Sequence, residues 1–254
     1  MVVSSHSLSF PFDWEYLEIS LPLIRLVPIR TIMSKVFRIF KMIFFSILTL
    51  AAIIVIGTIL VIHFNPAFGG KPTEEQVAIF EKTDHYKDGQ FQNLISTSMD
   101  MNFSKMLSTS WEMISGTPRQ NPEEPLPVLK PELTPSDTLP ELIWFGHSAF
   151  LFKIKDQHVL LDPMFGPRAA HFSIIGSKRF TNGLPIEIEE LPKIDLGIFS
   201  HDHYDHLDYP TIKRLEGKVD QYIVPLGVGA HLQKWGVDAS IIQELDWWEE
   251  TSYK

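Results

Sequence analysis

The sequence predicts an α/β domain preceded by a single transmembrane helix, and three stretches of the 254-residue chain predict it. Met42 to Ile62 carries no charged residue, and as a helix it is long enough to cross a bilayer core of ~30 Å at ~1.5 Å per residue. From Glu141 onward, short β-rich runs are followed by strand-like and helix-like segments in alternation, the pattern of a layered α/β architecture. Within that region the run Ser200-His201-Asp202-His203-Tyr204-Asp205-His206-Leu207-Asp208 follows the apolar stretch Ile194 to Phe199. Histidine and aspartate are costly to bury unpaired, so such a cluster lies on the surface or holds a cation.

Residues 1–41 read as a cytoplasmic tail. Met33-Ser34-Lys35-Val36-Phe37-Arg38 has the form of a natural start followed by a basic region, so Met1 to Ile32 is expected to be a misassigned extension or a poorly ordered tail. The span 42–62 has two rivals. A buried core helix would show a polar stripe, which is missing here. A cleaved signal peptide has a shorter apolar region and a small-x-small cleavage site, whereas the exit here reads Asn65-Pro66-Ala67-Phe68. Arg25, Arg30, Lys35, Arg38 and Lys41 precede the span, while Lys71 and Lys82 beyond it are mixed with Glu74, Glu75 and Glu81. The positive-inside bias puts the N-terminus in the cytoplasm and the remainder across the membrane, in the periplasm for a Gram-negative source.

Residues 63–140 form an extracytoplasmic region of short helices and a Pro-rich linker. Glu74 to Lys82 is a short amphipathic helix with Val77, Ile79 and Phe80 as its apolar residues, and Asp88-Gly89 carries turn chemistry. Asn93 to Ile114 is expected to be helical. Pro118 to Pro140 is dense in proline, an extended linker or a strap across a surface. In the domain 141–254, Leu142 to Phe145, Ala149 to Ile154 and His158 to Leu161 read as strands. Turns at Gly146-His147 and Lys155-Asp156-Gln157 separate them. Leu196 to Phe199 is a short buried strand, which puts the His/Asp cluster at its C-terminal end. Asp208 N-caps a helix whose first turn holds Pro210, giving Tyr209 to Leu215. Tyr222 to Pro225 is strand-like, Gly229 to Trp235 helix-like and Ile241 to Leu245 strand-like.

A formal net charge of −9 argues against a nucleic-acid binder. The absence of cysteine excludes disulfides, thiolate-metal sites, cysteine nucleophiles and a lipoprotein-type anchor. Alternate residues of an extended segment face one side, so His201 and His203 can offer their imidazoles to one metal. Asp205 and His206 follow a turn and can reach a second metal ~3.5–4 Å away. Nitrogen donors with a carboxylate suit zinc, and iron or manganese would also fit. Asp205 is also the candidate catalytic carboxylate, placed to orient a metal-bound hydroxide. The bland reading is a solvated, histidine-rich loop, and four donors do not saturate two metals.

His201-x-His203-x-Asp205-His206 after a strand resembles the first metal-binding motif of the metallo-β-lactamase superfamily. Trp144-Phe145-Gly146-His147-Ser148, Leu161-Asp162-Pro163, Gly176-Ser177-Lys178-Arg179-Phe180, Leu191-Pro192-Lys193-Ile194-Asp195 and Glu244-Leu245-Asp246-Trp247-Trp248-Glu249-Glu250 narrow the likeness further. They are similar to the branch of N-acyl phosphatidylethanolamine phospholipase D and its RomA-like bacterial relatives. The resemblance covers about Glu141 to Glu250. It implies the N-terminal half of an αββα fold and two zinc ions. His201 and His203 would hold the first ion, Asp205 and His206 the second. Asp162 and His147 would stand beside the site, each with a structural role as the alternative. His158, His171 and His231 are expected to be surface or packing residues, and Trp247-Trp248 core scaffold.

The family's three further ligands lie downstream of the tryptophan pair, where only Thr251 to Lys254 follow, so a C-terminally truncated chain is expected. The apolar sheet face left without its partner half implies self-association. The activity implied for the full-length form is membrane-anchored, zinc-dependent hydrolysis of phosphodiester or related ester bonds, with a phospholipid or small ester as substrate. The alternatives are an inactive fragment, a noncatalytic membrane-anchored interaction protein, or another hydrolysis within the superfamily, of lactones or nucleic-acid phosphodiesters.

Overall fold

The computed structural model describes residues 29–95, 102–116, 122–131, 140–172 and 176–253. Most of the expected tail 1–32, residues 96–101 of the expected helix 93–114, and Pro118 and Pro135 lie outside them. The chain divides into two units, residues 1–59 and 60–254. The described part of the first belongs to one helix, α1 (Ile29–Phe64). Its stretch Ile32–Phe64 is long and apolar enough to cross a membrane, and none of its most apolar window is buried. It runs well beyond 42–62, because the basic flank around Lys35, Arg38 and Lys41 continues the same helix.

The second unit starts with a 3₁₀ turn (Pro66–Phe68) and α2 (Glu74–Phe80). Thr73 and Gln76 form a reciprocal capping box, which satisfies two backbone donors of the first turn. Of the expected apolar residues only Phe80 is fully buried, and Ile79 is 52% exposed. The strands β1 (Tyr86–Lys87) and β2 (Gln90–Phe91) form a hairpin through Asp88 and Gly89, at φ 55° and 78°. Positive φ at both central residues is what a tight type I′ hairpin needs. Helix α3 is shorter than expected, Phe103–Ser115, because Asn102 caps it by accepting from the Lys105 amide at 2.8 Å. In the Pro-rich stretch, Leu126 pairs with the chain at Phe180–Thr181, its amide donating to the Phe180 carbonyl at 2.8 Å.

A six-stranded sheet follows: β3 (Glu141–Gly146), β4 (Ala149–Ile154), β5 (Gln157–Leu161), β6 (Ile194–Ile198), β7 (Val219–Pro225) and β8 (Ile242–Leu245). They lie side by side in that order. β3, β4 and β5 pair antiparallel, and β5 to β8 pair parallel. The parallel half needs crossovers, and α4 (Tyr209–Arg214) and α5 (Gly229–Lys234) supply two of them. Asp208 caps α4 with Pro210 in its first turn, as the sequence predicts.

Register aligns Ile143, Leu151, Leu160, Gly197 and Tyr222 across five strands on one face. That row joins Ile212 and Leu215 of the α4 segment and Leu232 and Trp235 of the α5 segment in one core. Full burial of each such aliphatic side chain contributes ~1.5–3 kcal/mol. The opposite face carries Trp144, Phe150, Leu161, Ile198 and Ile223 in register, and Trp144 is 60% exposed. One expectation is corrected: Trp247 and Trp248 are not core. β8 ends at Leu245, the Glu249 carboxylate accepts from the Asp246 amide to close a turn, and Trp248 stands 87% exposed at φ 71°.

Candidate metal centre

Parallel pairing of β5 with β6 sets Leu161 opposite Ile198, and the Asp162 amide donates to the Ile198 carbonyl at 2.9 Å. The carboxylate of Asp162 thereby lands beside the loop that leaves β6. Asp162 is 4% exposed and sits at φ 42°, a left-handed conformation that aspartate tolerates better than most residues. Its Oδ1 accepts from the Ser200 amide at 2.7 Å, and its Oδ2 accepts from the Ser200 hydroxyl at 2.7 Å. His206 Nδ1 lies 2.9 Å from the same Oδ2 and 3.0 Å from Ser148 Oγ.

These bonds assign two tautomers. An ionised carboxylate only accepts, so His206 carries its proton on Nδ1 and leaves Nε2 available. The Ser200 hydroxyl gives its proton to Asp162, so at 2.8 Å from His201 Nδ1 it accepts, and His201 too leaves Nε2 available. One buried carboxylate, partly through one serine, therefore turns two imidazoles into oriented ligands, as carboxylate–histidine pairs do around metals. The residues His203 to Leu207 form a turn in which the His206 and Leu207 amides both donate to the His203 carbonyl at 2.9 Å. The rings of His201 and His206 are 4.0 Å apart between centroids, and those of His201 and His203 are 4.5 Å apart. Burial and the neighbouring imidazoles of His206 and His203 hold the His201 pKa below the usual range, which keeps it neutral and able to donate a lone pair.

Asp205 reaches outward. Its Oδ2 is 3.0 Å from His147 Nε2 and 3.9 Å from His206 Nε2. The ligand atoms of His147, Asp205 and His206 all lie within 4.8 Å of one another. His147 occupies the β3–β4 turn at φ 48°, where its carbonyl accepts from Trp144 Nε1 at 2.9 Å. The structure thus places every predicted site residue at one locus: His201, His203, Asp205 and His206, with Asp162 behind them and His147 in front. Three imidazoles and a carboxylate are a suitable donor set for a divalent ion such as zinc. The His201 ring neighbours both the His203 and the His206 rings.

Sequence reasoning missed Ser148 and Ser200. Both sit inside quoted motifs, but a hydroxyl's role becomes visible only once strand register brings Asp162 alongside. His171 and His231, expected as surface or packing residues, do pack, and their partners lie on the metal loop. The His171 ring lies 4.2 Å from the Tyr204 ring inside the metal loop. His231 faces Asp202, with Nε2 3.5 Å from Oδ2. Asp208, next in the motif, is 1% exposed. Burial pushes its carboxyl up to about 6, and its Oδ1 has no hydrogen-bond partner among the described residues.

An apolar groove of about 1060 Å³ opens onto His147 and Asp205. Leu142, Trp144 and Phe180 line it together with Leu126 and Leu129 of the Pro-rich strap. Arg179 braces its floor by donating to the carbonyls of Phe145 and Met164.

Residues 157–254 match the family described as beta-lactamase superfamily domain. An uncharacterised protein of Mycobacterium tuberculosis is 36% identical over 189 residues, covering 73% of this chain and 50% of that protein. An N-acyl-phosphatidylethanolamine-hydrolyzing phospholipase D of Caenorhabditis elegans is 34% identical over 115 residues, covering 43% of this chain and 32% of that one. Among solved structures, a diiron beta-hydroxylase from Streptomyces venezuelae aligns with a TM-score of 0.34 at 26% identity, over 48% of this chain and 23% of that one. The chain spans about half the length of the first of these relatives. Over residues 157–254, the chain is thus similar to the beta-lactamase superfamily domain.

Proposed function

We propose that this chain is the metal-binding part of a membrane-anchored, zinc-dependent hydrolase of phosphodiester or related ester bonds. The observation that carries the reading is the gathering of His201, His203 and His206 beside Asp205, with two of the imidazoles fixed by Asp162. His201, His203, Asp205 and His206 would hold the metal. Bound there, a divalent ion supplies a hydroxide near neutral pH and polarises the scissile oxygen. Asp205 would orient the attacking oxygen, and His147, in contact with Asp205, would stand on the substrate side. Asp162 keeps the imidazoles oriented throughout.

The apolar groove beside His147 and Asp205 supports an amphiphilic substrate such as a phospholipid. α1 would anchor the chain in the bilayer, with the N-terminus cytoplasmic by its basic flank and the domain extracytoplasmic. The exposed sheet face around Leu142 and Trp144 would favour self-association in isolation.

The test is hydrolysis of bis(4-nitrophenyl) phosphate and of N-acyl phosphatidylethanolamine vesicles by zinc-loaded protein. The reading expects zinc-dependent turnover that Asp205→Ala removes. Zinc bound without turnover would favour a second reading, a membrane-anchored metal-binding interaction protein. The donor set itself motivates that alternative: a catalytic zinc takes three protein ligands, and the four motif donors fall short of two such ions.

A further inference from the structure

Asn65 to Gly70 is built into the support of the metal loop by two separate routes. The first is polar. The Gly70 amide donates to His231 Nδ1 at 3.1 Å. That bond leaves the imidazole proton on Nε2, which faces Asp202 Oδ2 at 3.5 Å. Asp202 stands between His201 and His203, so the relay ends on the backbone that carries both. The second route is aromatic. The Phe68 ring stacks on His171 at 4.7 Å and 13°, and His171 packs on Tyr204 at 4.2 Å. Tyr204 stands between His203 and Asp205.

The seat that holds this segment is shaped for it alone. A Cβ on Gly70 would lie 2.2 Å from the Ala230 carbonyl oxygen, and one on Gly69 would lie 1.9 Å from His231 Nδ1. Gly69 also adopts φ 67° and ψ −163°, a conformation essentially confined to glycine. Trp235 Nε1 donates to the Pro66 carbonyl at 2.7 Å, and Ala67 is 7% exposed. Asn65 closes the turn by accepting from the Ala67 amide at 3.0 Å. Glycines that admit no side chain, a buried alanine and an indole donor together fix both the depth and the register of the segment against α5.

We infer that Asn65–Gly70 is a positioning latch for the metal loop, with His231 as its polar relay and His171 as its aromatic one. The inference rests on the reading of His201, His203, Asp205 and His206 as metal ligands. A seated segment holds Asp202 and Tyr204, and with them the spacing of the ligands on either side. An unseated one leaves the ligands on the chain but loosens their geometry, so metal affinity reports on the seating.

The experiment is a cobalt(II) titration of the full chain in detergent micelles, read by the d–d absorption band, with thermal unfolding of each metal-free variant alongside. His231→Gln and Phe68→Leu remove one route each without demanding space, and Gly70→Ala blocks the seat. The expected result is cobalt binding weakened about tenfold or more in each variant that folds, in the range that lost support around metal ligands brings, with metal-free melting of His231→Gln and Phe68→Leu close to wild type. If His231→Gln and Phe68→Leu fold and bind cobalt as tightly as wild type, the latch is wrong. Wild-type protein that binds no cobalt would overturn the metal reading itself, an outcome visible without any variant.

Discussion

At the scale of single residues, Asp162 and Asp208 are two buried carboxylates with opposite consequences. Asp162 is fully used: its oxygens accept from the Ser200 amide and hydroxyl and from His206. Replacing it with asparagine keeps the shape but turns one acceptor into a donor and releases both tautomers. Asp162→Asn is expected to weaken zinc or cobalt binding about 10–100-fold, checked by competition with a chromophoric chelator. Among the described residues Asp208 is incompletely satisfied, with one oxygen accepting from the Thr211 amide at 3.2 Å and the other without a partner. Burial raises its pKa from 3.8 to about 6, so the fold keeps a proton that the unfolded chain releases. Its contribution is therefore complete below about pH 4 and is lost as pH rises through about 6. Stability should fall by about 1 kcal/mol between about pH 5 and pH 8 from this group. Asp208→Asn should flatten that slope, as read from denaturant midpoints at the two pH values.

At the scale of elements, the sheet places the chemistry. Asp162 follows β5 and Ser200 follows β6, and a parallel register sets them side by side. β6 admits this only because residue 197 has no side chain: a Cβ there would lie 2.8 Å from the Tyr222 ring on β7. Gly197→Val should cost about 1–3 kcal/mol by overpacking, measured by thermal or denaturant unfolding. The element scale is also where the sequence was most readable. Short β-rich and apolar runs mark β3 to β8, Asp208 with Pro210 marks the start of α4, and the His-x-His-x-Asp-His spacing marks the ligand loop. Ser148, Ser200 and His231 were not readable, because a serine or a lone histidine acquires its role from partners as many as 161 positions away in sequence, as His231 does from Gly70. The tryptophan pair misled for the converse reason: composition argues for burial, while the turn that follows β8 directs Trp248 to solvent.

At the scale of the whole molecule, each of the two units makes its own prediction. For the described part of residues 1–59 and the remainder of α1, the apolar stretch Ile32–Phe64 is exposed along its most apolar window, and the proposed membrane anchor makes its prediction there. The protein should stay with membranes through an alkaline carbonate wash and leave with detergent, and release by carbonate alone would count against a spanning helix. A reporter fused at Lys254 should be active only outside the cytoplasm. For residues 60–254, the fold gathers the site from three parts of the chain: His147 of the β3–β4 turn, Asp162 after β5 and the ligands on the loop after β6. The central claim is that this gathering exists to hold a metal. The most direct test is the zinc content of the purified 254-residue chain after loading and extensive dialysis. The account predicts at least one tightly held zinc per chain, lost in His206→Ala and in Asp205→Ala. A chain that retains no zinc, or that retains it undiminished without both Asp205 and His206, would contradict the account.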